Sequence, residues 1–372
     1  MTSCWAAYLT FSRNVLRKGL GGEVTGSREG SSRPPVGVLL VNLGTPSSPS
    51  VRDVRRYLRE FLSDPRVIDI PPIARWALLQ LVILPFRSPV SAAAYAKIWT
   101  AQGSPLLVHG QALRDGVAKS LGPGFAVELG MRYAAPSLQE ALGRLEEAGA
   151  DRLIAVPLFP QYAVSSTGSA VAQVLSLAAA NWNVPRIKGV GPFYAHPGFT
   201  AALVAVARPE LNEFQPDHLL MSYHGLPERQ IRKIDESGRH CLATATCCDD
   251  LSDVNRCCYR AQCFATSRTL ASALETSPER YSVAFQSRLG RTPWIKPHTD
   301  AVLPELAARG VRRLAVICPS FVADCLETLE EIGIRAREQW RELGGEELRL
   351  VSCVNSHPVW VETLARLVQE QV

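Results

Sequence analysis

From Val36 onward the chain alternates between two textures. Four short runs are apolar almost throughout: "VGVLLVNLG" (36–44), "RLIAVPLF" (152–159), "HLLMSYHG" (218–225) and "RLAVICPSF" (313–321). They predict strands buried on both faces, because a strand with one wet face would alternate polar and apolar positions. Between them lie longer stretches with apolar residues three or four apart: "VRDVRRYLREFL" (51–62), "SLQEALGRLEEAG" (137–149) and "LETLEEIGIRAREQW" (326–340). That spacing predicts helices. Strand alternating with helix implies an α/β fold with a parallel sheet covered on both faces.

The pattern repeats. "EEAGADRLIAVPLFPQY" (146–162) aligns with "AARGVRRLAVICPSFVA" (307–323), Gly149 falling on Gly310 and Leu153 on Leu314. "VELGMRYAAP" (127–136) echoes "VAFQSRLGRTP" (283–293), with Arg132 over Arg288. "LLVNLGTP" (39–46) matches "LLMSYHGLP" (219–227) after one insertion, so that Leu43 answers to His224. These echoes predict two similar Rossmann-like, doubly wound domains, 36–195 and 196–372, facing each other across a cleft. Ligands of such sheets bind beyond the carboxyl ends of the strands. Neither G-x-G-x-x-G nor G-x-x-x-x-G-K-[ST] occurs, which removes support for nucleotide chemistry.

Residues just past the strands are therefore the candidates for function. His224 ends the "SYH" run and has a side chain suited to proton transfer or to a borderline metal; a structural histidine is the plain alternative. After "RLAVICPSF", Asp324 reads as a helix N-cap, placing Glu327 in the first turn and Glu331 on the same face, with Glu330 beside them. Acids at a helix N-terminus are favourable for electrostatic reasons alone. Opposite His224, however, they also suit proton abstraction or handling of a divalent metal. The first half offers Arg87, Tyr95, Ser104, Arg132, Tyr133, Tyr162, Ser165 and Ser166, a set fitted to a large apolar ligand that carries carboxylates.

Composition narrows this further. Net charge is +5 with scattered basic residues, so nucleic-acid binding has no support, and 47% apolar residues exclude wholesale disorder. The longest apolar run, "WALLQLVILPF" (76–86), falls short of the ~20 residues a spanning helix needs. It reads either as a buried helix or as an exposed lip over an apolar ligand or membrane surface. Residues 1–35 end in the linker-like "GGEVTGSREGSSRPP", and no charged region precedes the apolar part as a secretory signal requires. They are expected to be a transit-like segment or the product of an upstream start, outside the fold. The expected location is cytoplasmic and reducing, where clustered cysteines hold metal more often than they pair.

Eight blocks in order, "LLVNLGTP", "RRYLREFLSDPRVI", "GSPL", "GMRY", "PQYAVSSTGS", "SYHGLPER", "FQSRLGRTPW" and "FVADCLETLEEI", resemble those of the ferrochelatases over residues 36–372. The resemblance implies insertion of ferrous iron into a porphyrin, protoporphyrin IX and coproporphyrin III both remaining open. It implies that His224 accepts pyrrole protons, binds the metal, or does both. Glu327 is the implied opposing carboxylate, with Asp324 and Glu331 in support. Porphyrin contacts are implied at Arg87, Tyr95 and Ser104, and expected at Arg132, Tyr133 and Tyr162. Cys325 stands where many members carry histidine. Partners implied are a porphyrin and a peripheral membrane contact, for a monomer or homodimer.

Six of the ten cysteines fall between Cys241 and Cys263, in a stretch that resembles an insertion found in some family members. In such members it holds a [2Fe–2S] cluster, which needs four thiolates. Assigning one ligand to each adjacent pair selects Cys241, Cys248, Cys258 and Cys263, with Cys247 and Cys257 as alternates. A Cys₄ zinc site remains an alternative, although short C-x₂₋₄-C pairs are scarce. Two rival functions also stand: a cobalt or nickel tetrapyrrole chelatase, and a non-catalytic iron–sulfur or haem-binding regulator on the same scaffold.

Overall fold

The computed structural model describes residues 34–290 and 292–372; nearly all of the segment 1–35 lies outside the described residues. Two parallel four-stranded sheets are present, ordered β2-β1-β3-β4 and β6-β5-β7-β8. The first is built from β1 (Val36–Gly44), β2 (Phe125–Tyr133), β3 (Arg152–Pro157) and β4 (Arg186–Gly189). The second is built from β5 (His218–His224), β6 (Tyr281–Gln286), β7 (Arg313–Ile317) and β8 (Glu347–Leu350). The expected α/β architecture of two like sheets is thus present. The four apolar runs are the inner strands β1, β3, β5 and β7. The edge strands are short or mixed in polarity, as "RIKG" and "ELRL" show, because one side of an edge meets solvent or a helix end.

Strand register tests the internal repeat directly. β1 pairs Val38 with Ile154, and β5 pairs Leu219 with Ala315, so the matches of Gly149 to Gly310 and Leu153 to Leu314 hold in space. Both glycines have positive φ, as the turn after a helix favours. Gly44 and Gly225 also correspond: an added Cβ would strike the Tyr133 carbonyl oxygen at 1.9 Å in one and the Gln286 carbonyl oxygen at 2.8 Å in the other. Leu43 and His224, immediately before them, therefore occupy equivalent places. The match of Arg132 to Arg288 is corrected by two residues. Met131 N–H donates to the Pro136 carbonyl as Phe285 N–H does to that of Pro297, which makes Gln286 the counterpart of Arg132.

The halves are not sealed off from each other at residue 196. The last helix, Pro358–Gln369, crosses back to pack on Pro105–Leu121 and Pro197–Phe214. Trp360 there packs tilted against Phe193 and edge-on against Phe199, with centroids 5.2 and 5.4 Å apart. One apolar cluster consequently includes residues of both sheets, and at ~25 cal/mol per Å² buried aromatic rings of this size bind the halves firmly.

The apolar run around Trp76 belongs to a helix of 27 residues, Pro72–Ile98, longer than the run itself. By length and composition it could cross a membrane, and only 22% of its most apolar window is buried. Its middle, Leu78–Ile83, is wound as a π-helix. Pro85 explains the disturbance, since it lacks an N–H and crowds the carbonyl of Leu81, four residues earlier. Leu79, Leu84, Ala92, Tyr95 and Ile98 face the protein, while Trp76, Leu81, Val82, Phe86 and Val90 face outward, Phe86 at 73% exposure. The exposed lip is the reading that the geometry supports.

Candidate active site

His224 is the last residue of β5, and its grip is mostly backbone. Its N–H donates to Ser320 Oγ (3.2 Å), and its carbonyl accepts from Tyr259 Oη (2.8 Å). Nδ1 lies 2.6 Å from the Gly225 carbonyl oxygen. A carbonyl can only accept, so Nδ1 carries the proton and Nε2 of the neutral ring keeps its lone pair. The ring is half-buried, with Phe321 beside it at 6.4 Å between centroids.

Gln286 joins this histidine to the acids. It pairs with His224 across β5 and β6, and its Oε1 accepts from Ser222 Oγ (2.7 Å). Its Nε2 donates to the Glu327 carbonyl (2.7 Å) and points at the Glu331 carboxylate (3.4 Å). Glu331 also accepts from Ser287 N–H (2.9 Å) and from Ser287 Oγ. Glu327 and Glu331 both lie on a ten-residue π-helix, Glu327–Ala336, whose wide turn brings residues four and five apart onto one face. Glu330 is instead buried and paired with Arg335 (2.8 Å) and with Lys97 (3.7 Å) of the lip helix. It fastens the π-helix to the first half.

Asp324 is not the helix cap. The first helical backbone bond, Leu329 N–H to Cys325 O, makes Cys325 the cap. Asp324 is buried and accepts from Asn355 Nδ2 (2.8 Å), Thr328 Oγ1 (3.1 Å) and Cys353 N–H (3.3 Å). It braces the π-helix from behind, beside a cavity of about 310 Å³ lined also by Arg337 and Ser352. Cys325 is buried too; burial, then the charge of Glu327, pushes its thiol well up, so it is inert beside the site.

The expected porphyrin contacts divide. Arg87 is exposed on the lip helix; desolvation by neighbouring protein and the charge of Arg335 lower its pKa, against the opposing charges of Glu331 and Glu327. Tyr95 is buried in an apolar cluster with Leu326 and Leu329 packed against it, and burial followed by the Glu327 charge pushes its phenol well up. Ser104 is buried and hydrogen-bonded to Thr45 (2.7 Å), so it supports the floor. Tyr162 is half-buried in the loop after β3, and its N–H donates to Gln262 Oε1 across the two halves (2.7 Å). Ser165 and Ser166 follow in a half-buried π-helical turn.

Arg132 and Tyr133 do not match the expected role. Arg132 donates to Asp64 Oδ2 (2.8 Å) and Ser169 Oγ (2.8 Å), and Tyr133 Oη donates to the same carboxylate oxygen (2.9 Å). Tyr133 is only 1% exposed and leaves no face for a ligand, while Arg132, its side chain 16% exposed, spends two of its donors on this network. Burial works against the Asp64 carboxylate, but hydrogen bonds from Ser169, the Arg66 N–H and Tyr133, with the Arg132 charge, hold its pKa below the usual range. Gln286, Ser287, Ser320 and Tyr259 were not singled out in the sequence. Gln286 and Ser287 stand inside the quoted "FQSRLGRTPW" block and Ser320 near the end of "RLAVICPSF", whereas nothing in the sequence marked Tyr259.

Five cysteines of the cluster, Cys241, Cys247, Cys248, Cys258 and Cys263, are buried together. Cys258 lies within hydrogen-bonding reach of Cys241 and Cys248, and Cys247 Sγ is 3.7 Å from Cys248 Sγ. Cys263 is close enough to feel the charge of Cys248, and burial pushes its thiol well up. For Cys248 the Cys258 contact comes first and burial second, in the same direction, while Arg260 opposes both. Among the described residues no three Cys, His, Asp or Glu side chains already stand in metal-ligating geometry. Asp235 organises the segment, accepting N–H groups of Ser237 (3.0 Å), His240 (2.8 Å) and Cys241 (2.7 Å).

Paired parallel sheets with a histidine and acids at the strand ends define a protein of the chelatase fold. A sirohydrochlorin chelatase, SirB of Bacillus subtilis subspecies spizizenii, solved with cobalt, shares the fold at a TM-score of 0.50 and 12% identity, over 91% of this chain and 95% of that one. The ferrochelatase family model matches residues 35–372, and the chain belongs to that family. A ferrochelatase of Coxiella burnetii (strain CbuK_Q154) is 50% identical over 337 residues, covering 91% of this chain and 94% of the relative. One of Legionella pneumophila (strain Paris) is 49% identical over 336 residues, covering 90% and 99%.

Proposed function

We propose that this protein inserts ferrous iron into a porphyrin with loss of two pyrrole protons, a step of haem synthesis. The observation that carries the reading is the His224 tautomer, with Nδ1–H on the Gly225 carbonyl and a free Nε2 lone pair. An imidazole nitrogen whose lone pair is not engaged elsewhere is suited to take a pyrrole proton. Glu327 and Glu331 supply the negative charge that draws a divalent cation to the opposite side. Ser287 and Gln286 hold Glu331 in place, so its charge is positioned before the metal arrives. Arg87 offers a guanidinium for a substrate carboxylate. The outward apolar row of the lip helix covers the macrocycle or rests on a membrane surface, which suits an apolar product.

The gathering of five buried free thiols in one segment supports the reading of an iron–sulfur cluster site, thiolates being the usual ligands of such clusters. Several thiols crowded out of water stay protonated unless cations neutralise them, and Arg260 and the backbone of the segment already face that charge. The linked set Cys241–Cys258–Cys248–Cys263 would be the four ligands, with Cys247 occupied by the Leu242 N–H (3.3 Å). When bound, a [2Fe–2S] cluster supplies a redox-active cross-link between the insertion and the helix Tyr259–Ala273.

The direct test is an oxygen-free assay of the full chain with porphyrin and ferrous iron, read by the change in visible absorption as the metalloporphyrin forms. Turnover supports the reading. Binding of porphyrin without metal insertion at any pH between 6 and 9 would favour the non-catalytic alternative. Iron and sulfide analysis of the same preparation tests the cluster, with about two of each per chain expected.

A further inference from the structure

We infer that Tyr259 is a positioning residue that couples the cysteine site to His224; this rests on reading the cysteines as a cluster site. Tyr259 opens the helix Tyr259–Ala273, immediately after Cys258, which is its N-cap. Four residues on, one helical turn away on the same face, is Cys263. Two of the four inferred ligands therefore bracket Tyr259 and set the rotation of the helix that carries it. The ring is buried, and its hydroxyl donates to the His224 carbonyl at 2.8 Å. Ser320, which takes the His224 N–H at 3.2 Å, also lies within hydrogen-bonding reach of that hydroxyl.

The grip holds both backbone groups of His224 at the last residue of β5, beyond Met221, where the pairing with β7 stops. Gly225 N–H goes to Gln286 O, and the His224 carbonyl is left to Tyr259 alone among the contacts of this turn. The Nδ1 bond to the Gly225 carbonyl depends on the same turn. Release of the carbonyl would let the imidazole and its lone pair wander, and small misplacements of a reacting group are costly. A gathered cysteine site keeps the helix start in register, and a lost one frees it.

The test is Y259F in the full chain, with the wild type measured beside it. The expected result is a loss of about tenfold in kcat with KM for porphyrin unchanged, and with iron, sulfide and melting temperature at wild-type levels. A purely structural tyrosine would lower the melting temperature and leave kcat alone; that outcome, or kcat within twofold of wild type, overturns the inference. C263S adds the second arm. It should lower kcat in the wild-type background and add little to Y259F, whereas fully additive losses also overturn the coupling. Failure of the wild type to insert iron rejects the proposed function instead, and a wild type without iron or sulfide rejects the cluster reading; neither result mimics these arms.

Discussion

The two halves share strand order, register and the glycine that ends the first strand, yet use equivalent positions in opposite ways. In the first half Leu43 precedes Gly44, and Arg132 at the neighbouring strand end is locked onto buried Asp64 and Ser169. In the second half His224 precedes Gly225, and Gln286 in the place of Arg132 reaches out to the π-helix acids. One copy closed its polar groups into a brace and the other turned them toward the acids of the candidate site. A duplicated fold can thus separate stability from chemistry, because each copy relieves the other of one task.

Changes across this comparison should differ in kind as well as size. H224A should cut metal insertion by about a thousandfold or more while the melting temperature stays within a few degrees, since general-base and metal roles are lost together. E327Q keeps the shape and removes one charge; about a hundredfold in kcat with little change in porphyrin affinity is expected from steady-state kinetics.

In the first half, D64A should leave the part-buried Arg132 and the buried Tyr133 hydroxyl without their shared acceptor and cost about 3 kcal/mol of stability, read by denaturant unfolding. Its pH dependence follows from the lowered Asp64 pKa. The contribution is fully present above the unfolded carboxylate value and is lost as pH falls through the lower folded value, so wild-type stability should fall faster than that of D64A in acid. F86S with V90S, on the exposed lip, should reduce partition onto phospholipid vesicles by about tenfold or more without altering stability. The smallest effect is expected for L43H, which puts an imidazole at the equivalent place in the wrong half. Activity should stay within twofold of wild type, because Leu43 is partly buried against an apolar cluster and the neighbouring Arg132 is already paired with Asp64.

Much of the fold was legible because the inner strands are continuous apolar runs and the glycines after the helices recur at fixed spacing. The edge strands were not, since "RIKG" and "ELRL" carry no periodicity. A two-residue slip at Arg288 went unseen because β2 and β6 share too few residues, and only backbone hydrogen bonds to Pro136 and Pro297 reveal the true register. Arg132 and Tyr133 look like ligand contacts in a one-dimensional list. Asp64, 68 residues away from Arg132, is what claims them.

By itself the sequence determined the α/β class, the pairing of His224 with Leu43, the acidic face of Glu327 and Glu331, and the gathering of cysteines, because each is a local or periodic pattern. Only the tertiary structure decided which polar residues remain free. It assigned Asp324 to a brace, Glu330 to a clamp on the lip helix, and His224 to a grip shared by Ser320 and Tyr259. The physical reason is that a polar group's role depends on which partner arrives within about 3 Å of it, and those partners come from segments far apart in the chain.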